Sequence, residues 1–471
     1  MSPNWPTPGH QPTAAGAWKS PAALVAHLHT LLAMPPGRHQ RAVVRTRLEL
    51  PAGWWLRQPV GTSVDVYGFR GPGQRWHTAL GQAWLCPVRQ VRYLDAGGSG
   101  NFRPHPEDLQ AVLQWLDQVQ VSCPVAAVAG FPLRAPEGGW VAPLRLWVPR
   151  LWLIDDPAEG AAGRESLQVE VALVFERDRT APVIAAEVDQ LLSLLTADEV
   201  PEPTPLQLQR ESQADVGQAL QCLDEQPVLR KVVLAWPRHW SGGGAIGRVW
   251  QHLREQRGDA WCAFGQLPEG EFAFASPELL IEGRHGGLRS LALAGTLVER
   301  SAPPASPAAV MAVEHQLVVD YLTDSLAELG AEARPERQQV RTAGSLRHLA
   351  TPVTVTDRGG LSALQAALWL HPTPALLGLP RPQALQLLAE LEPEPRGWYG
   401  GFAGLLSGDG SGDGELAVLL RGAAVQDGGW LAWAGAGLVR GADVEAERRE
   451  ILNKHQALVE GLGLQPAAAA S

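Results

Sequence analysis

The stretch Leu167-Gln-Val-Glu-Val-Ala-Leu-Val-Phe175 sets the reading of the fold. Val169, Val171 and Leu173 alternate with Gln168, Glu170 and Ala172. A period of two sends the two sets to opposite faces of a strand, so this segment belongs to a sheet with unequal faces. Upstream, strand-like material covers 42–50, 64–69 and 144–153. Downstream it covers 230–236, 272–275, 289–294 and 431–439, with a hairpin of 401–407 and 415–422 around the Gly/Asp loop 408–414. Fifty glycines and 39 prolines supply the turns that many short strands need, and they argue against a helical bundle. Helical spacing occurs at 21–33, 106–119, 182–195, 213–224, 308–329, 382–391 and 442–461. In the 308–329 helix, Val310, Val313, Leu317 and Tyr321 form the stripe expected to face the core.

The 471 residues carry a formal charge of −10, which argues against nucleic acid or an anionic membrane surface as partner. No apolar run is long enough to span a bilayer, and no basic-then-apolar leader opens the chain. The chain is therefore read as soluble and cytoplasmic. Residues 1–20 read as a loose tail. Pro201, Pro203 and Pro205 mark a connection between an N-terminal part, 21–200, and a second part, 206–465. Cys86, Cys123, Cys222 and Cys262 are scattered without a CxxC pair, which fits buried free thiols rather than zinc ligands or disulfides.

Two local patterns are lures. Gly242, Gly244 and Gly247 spell GxGxxG, but Pro237 and His239 intervene and no clean βαβ unit surrounds them, so a loop is expected. Asp409, Ser411 and Asp413 resemble the start of a calcium loop, yet the twelfth position is Leu420 instead of Glu, so a hairpin turn is expected. The 18 tryptophans read as packing residues, since no basic stripe accompanies them.

A second set of residues carries chemistry. Lys231 sits in an apolar strand, where it either snorkels from an edge or is buried as an amine that can act as a base. Glu278 follows a strand in Ser276-Pro-Glu; beside a lysine base it becomes a candidate acid rather than a solvated turn residue. Glu314 lies on the 308–329 helix. Glu447, Glu450 and Lys454 share one face of the last helix. Carboxylates from two helices suit a hard cation such as Mg²⁺, while the plain structural reading is exposed charge with a Glu450–Lys454 pair. Gly435-Ala-Gly437 interrupts an apolar strand end. It either lets backbone N–H groups approach a ligand or marks a bulge.

Taken in order, these segments resemble the chorismate-utilising enzymes: isochorismate synthases, salicylate synthases and the large subunits of anthranilate and aminodeoxychorismate synthases. The matching stretches are Lys231-Val-Val-Leu-Ala, Ser276-Pro-Glu-Leu-Leu, Leu293-Ala-Gly-Thr296, Glu314-His-Gln-Leu-Val, His348-Leu-Ala-Thr-Pro352 and His371-Pro-Thr-Pro-Ala375. They continue with Pro395-Arg-Gly-Trp-Tyr399-Gly-Gly, Gly414-Glu-Leu-Ala-Val-Leu-Leu-Arg421, Ala434-Gly-Ala-Gly437 and Glu447-Arg-Arg-Glu450 with Lys454. The resemblance implies an α+β fold: a single large domain of two face-to-face antiparallel sheets flanked by helices. In it, Pro201–Pro205 becomes a surface connection. Lysine at 231 is what the water-adding members resemble, so the resemblance is nearest to isochorismate synthase, whose product feeds quinone, siderophore and salicylate synthesis.

The roles implied are residue-specific. Lys231 activates water for attack at C2 of chorismate, and Glu278 protonates the departing C4 hydroxyl. Glu314 and Glu450, with Glu447 direct or through water, hold Mg²⁺. Arg421, Tyr399 and the backbone at Gly435 and Gly437 bind the enolpyruvyl carboxylate. Thr296 and His348 line the ring site, and Lys454 supports the carboxylates or the substrate. A monomer is expected. Two departures bear on the metal site: the segment between Thr296 and Glu314 is short, with Met311 where the family has an acid, and Ile451 follows Glu450. Three alternatives remain open: a salicylate synthase that goes on to eliminate pyruvate, a chorismate-binding protein without catalysis, and an unrelated Mg²⁺-dependent hydrolase.

Overall fold

The computed structural model describes residues 64–95, 102–136, 138–156, 164–174, 181–196, 204–243, 246–255, 258–297, 308–343 and 346–464, together with 17–18, 23, 26, 41–51 and 55–56. The expected tail 1–20 and helix 21–33 fall almost wholly outside these residues, as does the short segment 298–307 before the Glu314 helix.

Two thirteen-stranded sheets dominate the described residues. From one edge, the first follows Ala17–Trp18, Arg41–Pro51, Arg164–Val174, Leu151–Asp156, His77–Leu80 and Val66–Arg70. It continues through Trp261–Leu267, Gly270–Ser276, Gly422–Gln426, Gly429–Val439, Lys231–Ser241 and Gln207–Glu211. The second follows Ala333–Pro335, Leu346–Val355, Gly287–Leu297, Leu279–Arg284 and Gly414–Val418, then Phe402–Ser407, Pro124–Ala129, Trp140–Val148, Gln90–Asp95 and Phe102–Pro104. Both sheets draw strands from either side of Pro201–Pro205, and eight helices flank them among the described residues. Of the alternating segment read first, Leu167–Val174 pairs residue by residue with strand Arg41–Pro51, antiparallel, and Phe175 lies outside the described residues.

The sheets pack face to face. Tyr67 and Trp152 of the first sheet reach across to the backbone of the second: Tyr67 Oη donates to Gly404 O at 3.0 Å and Trp152 Nε1 to Pro124 O at 3.0 Å. These bonds give two large buried side chains polar partners inside an apolar layer. No helix among the described residues is long and apolar enough to cross a membrane. Cys86, Cys123 and Cys262 are buried and Cys222 is half-buried, and no disulfide joins any of them among the described residues.

Several expectations need correction. The segment 144–153 is two strands, Trp140–Val148 and Leu151–Asp156, in different sheets. Pro149 has no N–H for a ladder, and the chain crosses there, with buried Arg150 anchored by Glu187 at 3.1 Å. The hairpin strand 415–422 likewise stops at Val418, and the chain crosses sheets through Leu419–Arg421. The stripe of helix Ala308–Glu328 is misphased. Val313 is 55% exposed, and the buried face carries Met311, His315, Val318, Val319, Leu322, Ser325 and Leu326. Two polar residues on that face hid it; His315 is satisfied there by Thr351 Oγ1 at 2.8 Å. Finally, the strand before Gly242 runs through Pro237 and His239 to Ser241, and helix Ile246–Glu255 follows. The partners of that strand are all antiparallel, so the glycine turn belongs to no parallel βαβ unit. The calcium-like loop is a hairpin turn between Phe402–Ser407 and Gly414–Val418.

Candidate active site

Lys231 opens a strand held on both sides, against Val439 and against Leu379. Its side chain is 0% exposed, and Nζ lies 3.1 Å from Glu314 Oε1. The approach is off-axis, so the contact is a charge pair without a directed hydrogen bond, and Nζ has no other partner among the described residues. Room for the pair comes from Gly437 on the neighbouring strand. A Cβ there would fall 1.9 Å from Glu314 Oε1 and 3.0 Å from Lys231 Cε. Gly435 serves differently: its own Cβ would strike Leu234 O and Ala235, and its carbonyl accepts from Lys454 Nζ at 2.8 Å.

The Lys231 strand is braced from behind by a buried pair. Arg396 donates to Val233 O at 2.6 Å and to Glu392 Oε2 at 2.9 Å, while Glu392 Oε1 accepts from Ala235 N at 3.0 Å. Arg396 also lies over Tyr399, whose ring stacks on Trp433 at 6.0 Å. Burial pushes the Tyr399 phenol up.

Glu278 lies between strands Gly270–Ser276 and Leu279–Arg284, just before the point where the latter pairs irregularly with Gly414–Val418, and its carbonyl accepts from Val418 N at 3.1 Å. The carboxyl is buried. Desolvation pushes its pKa from 4.5 up to about 8 against the pull of Lys231 and Lys454, so it carries a proton at neutral pH.

Thr296 stands at a second irregularity, after Gly295 at φ +75°, on strand Gly287–Leu297. Its hydroxyl donates to Glu450 Oε1 at 2.8 Å and lies 3.4 Å from His348 Nδ1. Arg421 meets His348 Nε2. Burial, then Arg421 and Lys454, hold His348 far below the usual imidazole range, so it is neutral. Since Arg421 only donates, Nε2 accepts and Nδ1 carries the hydrogen. Arg421 itself sits at φ +52° in the sheet crossing, and burial lowers its pKa to about 10. On the last helix, capped by Asp443 accepting from Ala446 N at 2.8 Å, Lys454 Nζ lies 2.7 Å from Glu450 Oε1. Burial alone would lower the Lys454 ammonium, but Glu450 and its neighbours outweigh it and raise it.

Glu278, Thr296, Glu314, His348, Tyr399, Arg421, Gly435, Gly437, Glu450 and Lys454 line one cleft that opens to solvent. Lys231 and Glu447 do not line it. Lys231 lies beneath Glu314, and Glu447 is buried on helix Val444–Gly461, which also carries Glu450 and Lys454. The expected Glu450–Lys454 pair therefore forms and also faces the cleft. Glu314 and Glu450 are hard oxygen donors on one cavity, which fits Mg²⁺, a cation that needs only one or two carboxylates and keeps several waters. No cluster of three His, Cys, Asp or Glu occurs among the described residues.

Sequence reasoning missed Trp433. It lines the cleft, and its Nε1 is buried without a partner among the described residues. A compositional signal was also there to be found. Only three of the 39 Lys and Arg residues are lysines, and two of them, Lys231 and Lys454, stand at this site. Where arginine serves nearly everywhere else, a retained lysine points to a compact or titratable amine.

Comparison with known proteins agrees with this geometry. Residues 163–463 match the family model described as chorismate binding enzyme. The salicylate biosynthesis isochorismate synthase of Pseudomonas aeruginosa is 34% identical over 226 residues, 46% of this chain and 47% of that protein. Anthranilate synthase component 1 of Streptomyces coelicolor is 33% identical over 234 residues, 47% of this chain and 45% of that one. The chain thus matches about half the length of these relatives. Among solved structures, MenF, the menaquinone-specific isochorismate synthase from Escherichia coli, superposes with a TM-score of 0.67 at 22% identity, covering 93% of this chain and 99% of that one. With the family model spanning 163–463 and the paired sheets around one polar cleft, the chain belongs to the chorismate-binding enzyme family.

Proposed function

We propose that the protein is a Mg²⁺-dependent isochorismate synthase, a soluble, cytoplasmic, monomeric isomerase. The observation that carries this reading is the convergence of a buried lysine with a carboxyl group held protonated: Lys231 beneath the cleft and Glu278 on its wall. General acid–base exchange of one hydroxyl for another needs such a pair. Water loses a proton to the Lys231 amine and adds at C2 of chorismate. The ring double bonds shift, the C4–O bond breaks, and Glu278 supplies the proton with which that oxygen leaves as water. One water enters and one departs, so the product is an isomer.

The remaining residues position the substrate. Arg421, oriented by neutral His348, and Tyr399, clamped between Arg396 and Trp433, bind the enolpyruvyl carboxylate with the backbone at Gly435 and Gly437. Thr296 and His348 border the ring. Glu314 and Glu450 would hold Mg²⁺, which would supply positive charge for the ring carboxylate; Glu447, buried away from the cleft, is not placed to join them.

The test is incubation with chorismate and Mg²⁺ and identification of products by mass spectrometry. Isochorismate, lost in Lys231→Ala and Glu278→Gln, is expected. Release of salicylate and pyruvate, or no turnover of chorismate, overturns the assignment.

A further inference from the structure

We infer that Glu314 is a lid on Lys231 and that a divalent cation lifts it, so that the same carboxylate couples metal binding to exposure of the base. The inference rests on the proposed reaction and names how that site is regulated. Four observations lead to it. Lys231 is fully buried and absent from the cleft wall, whereas Glu314, 3.1 Å away, is part of that wall. Nζ has no hydrogen-bond partner among the described residues, so the carboxylate holds it by charge alone. Gly437 leaves the space that the paired groups occupy, which a Cβ there would take from them. The chain has three lysines in all, so a lysine here is a selected exception.

A hard cation approaches a carboxylate oxygen to roughly 2.0–2.1 Å and takes up its negative charge. Lys231 and the cation therefore compete for Glu314. With Glu314 drawn to the metal, the amine loses its cover and opens onto the cleft where water and substrate meet. Lys454 and Glu450 form the companion pair on the opposite helix, but as an i, i+4 contact with a second bond to Gly435 O that pair is held within its own element. The coupling is thus assigned to Lys231.

Two measurements test it without relying on turnover. Reductive dimethylation of the wild-type protein, read by peptide mass spectrometry at each of the three lysines, should modify Lys231 faster with saturating Mg²⁺ than with EDTA by roughly tenfold or more, because the charge pair that covers the amine is broken. Calorimetric titration with Mg²⁺ should show Lys231→Met binding about tenfold more tightly than wild type, because the competitor is gone. If Lys231→Met does not fold, Glu314→Gln replaces it: its Lys231 should label quickly and equally with and without Mg²⁺. Labelling of wild-type Lys231 that ignores Mg²⁺, or unchanged or weaker Mg²⁺ binding in Lys231→Met, overturns the lid. Chorismate turnover with neither shift overturns the lid and leaves the reaction standing; both shifts without turnover do the reverse.

Discussion

Gly437→Ala is the sharpest probe of the site. Gly437 lies outside the left-handed region, so alanine meets no backbone strain, and no backbone atom is among the three nearest to the new Cβ. What it meets is Glu314 Oε1 at 1.9 Å and Lys231 Cε at 3.0 Å. Restoring an ordinary contact near 3.4 Å moves the carboxylate oxygen by about 1.5 Å. A displacement of about 1 Å in a catalytic group can lower a rate by roughly 10²-fold, or about 2.7 kcal/mol of barrier. We therefore expect kcat/KM for chorismate to fall by about two orders of magnitude while the protein still unfolds cooperatively. The assay is steady-state isochorismate formation at saturating Mg²⁺, paired with a thermal melt. Wild-type activity in Gly437→Ala would refute the placement of Lys231 and Glu314 at the reacting centre. Gly435→Ala is the control, since its Cβ strikes Leu234 O, a backbone atom, and should lower Tm.

Other outcomes follow from the same geometry. As the proposed general acid, Glu278 acts in its protonated form, so kcat/KM should fall about tenfold per pH unit above its pKa of about 8; a profile still rising at alkaline pH would contradict that proposal. Because the folded pKa lies above 4.5, the native state holds the proton more tightly, and the contribution of Glu278 to stability is full below 4.5 and lost as pH rises through about 8; denaturant titrations across that window should show this slope for wild type and not for Glu278→Gln. Arg396→Ala leaves Glu392 buried and unpaired and should lower unfolding free energy by about 3–5 kcal/mol, measured in urea. Chorismate, a dianion, approaches an acidic protein whose cleft presents Glu314 and Glu450, so calorimetric binding should weaken strongly in EDTA; equal affinity with and without chelator counts against the metal site.

The sequence by itself determined the class of the fold and supplied the candidates for the site. Alternation at Val169–Leu173 and the supply of turn formers are local properties, and the strand they predicted is there. Lys231, Glu278 and the carboxylates could be named because chemical type and order along the chain survive folding unchanged. Depth, facing and company could not be read in this way. The buried side of the Ala308–Glu328 helix includes His315, which meets Thr351, a contact 36 residues distant that no hydropathy period encodes. Where strands change sheets, at Pro149 and at Leu419–Arg421, depends on two layers closing around a shared core. That Lys231 lies under Glu314 in a slot made by Gly437 required three segments far apart in sequence to meet. Such a contact is set by packing between elements, and local propensity has no term for it.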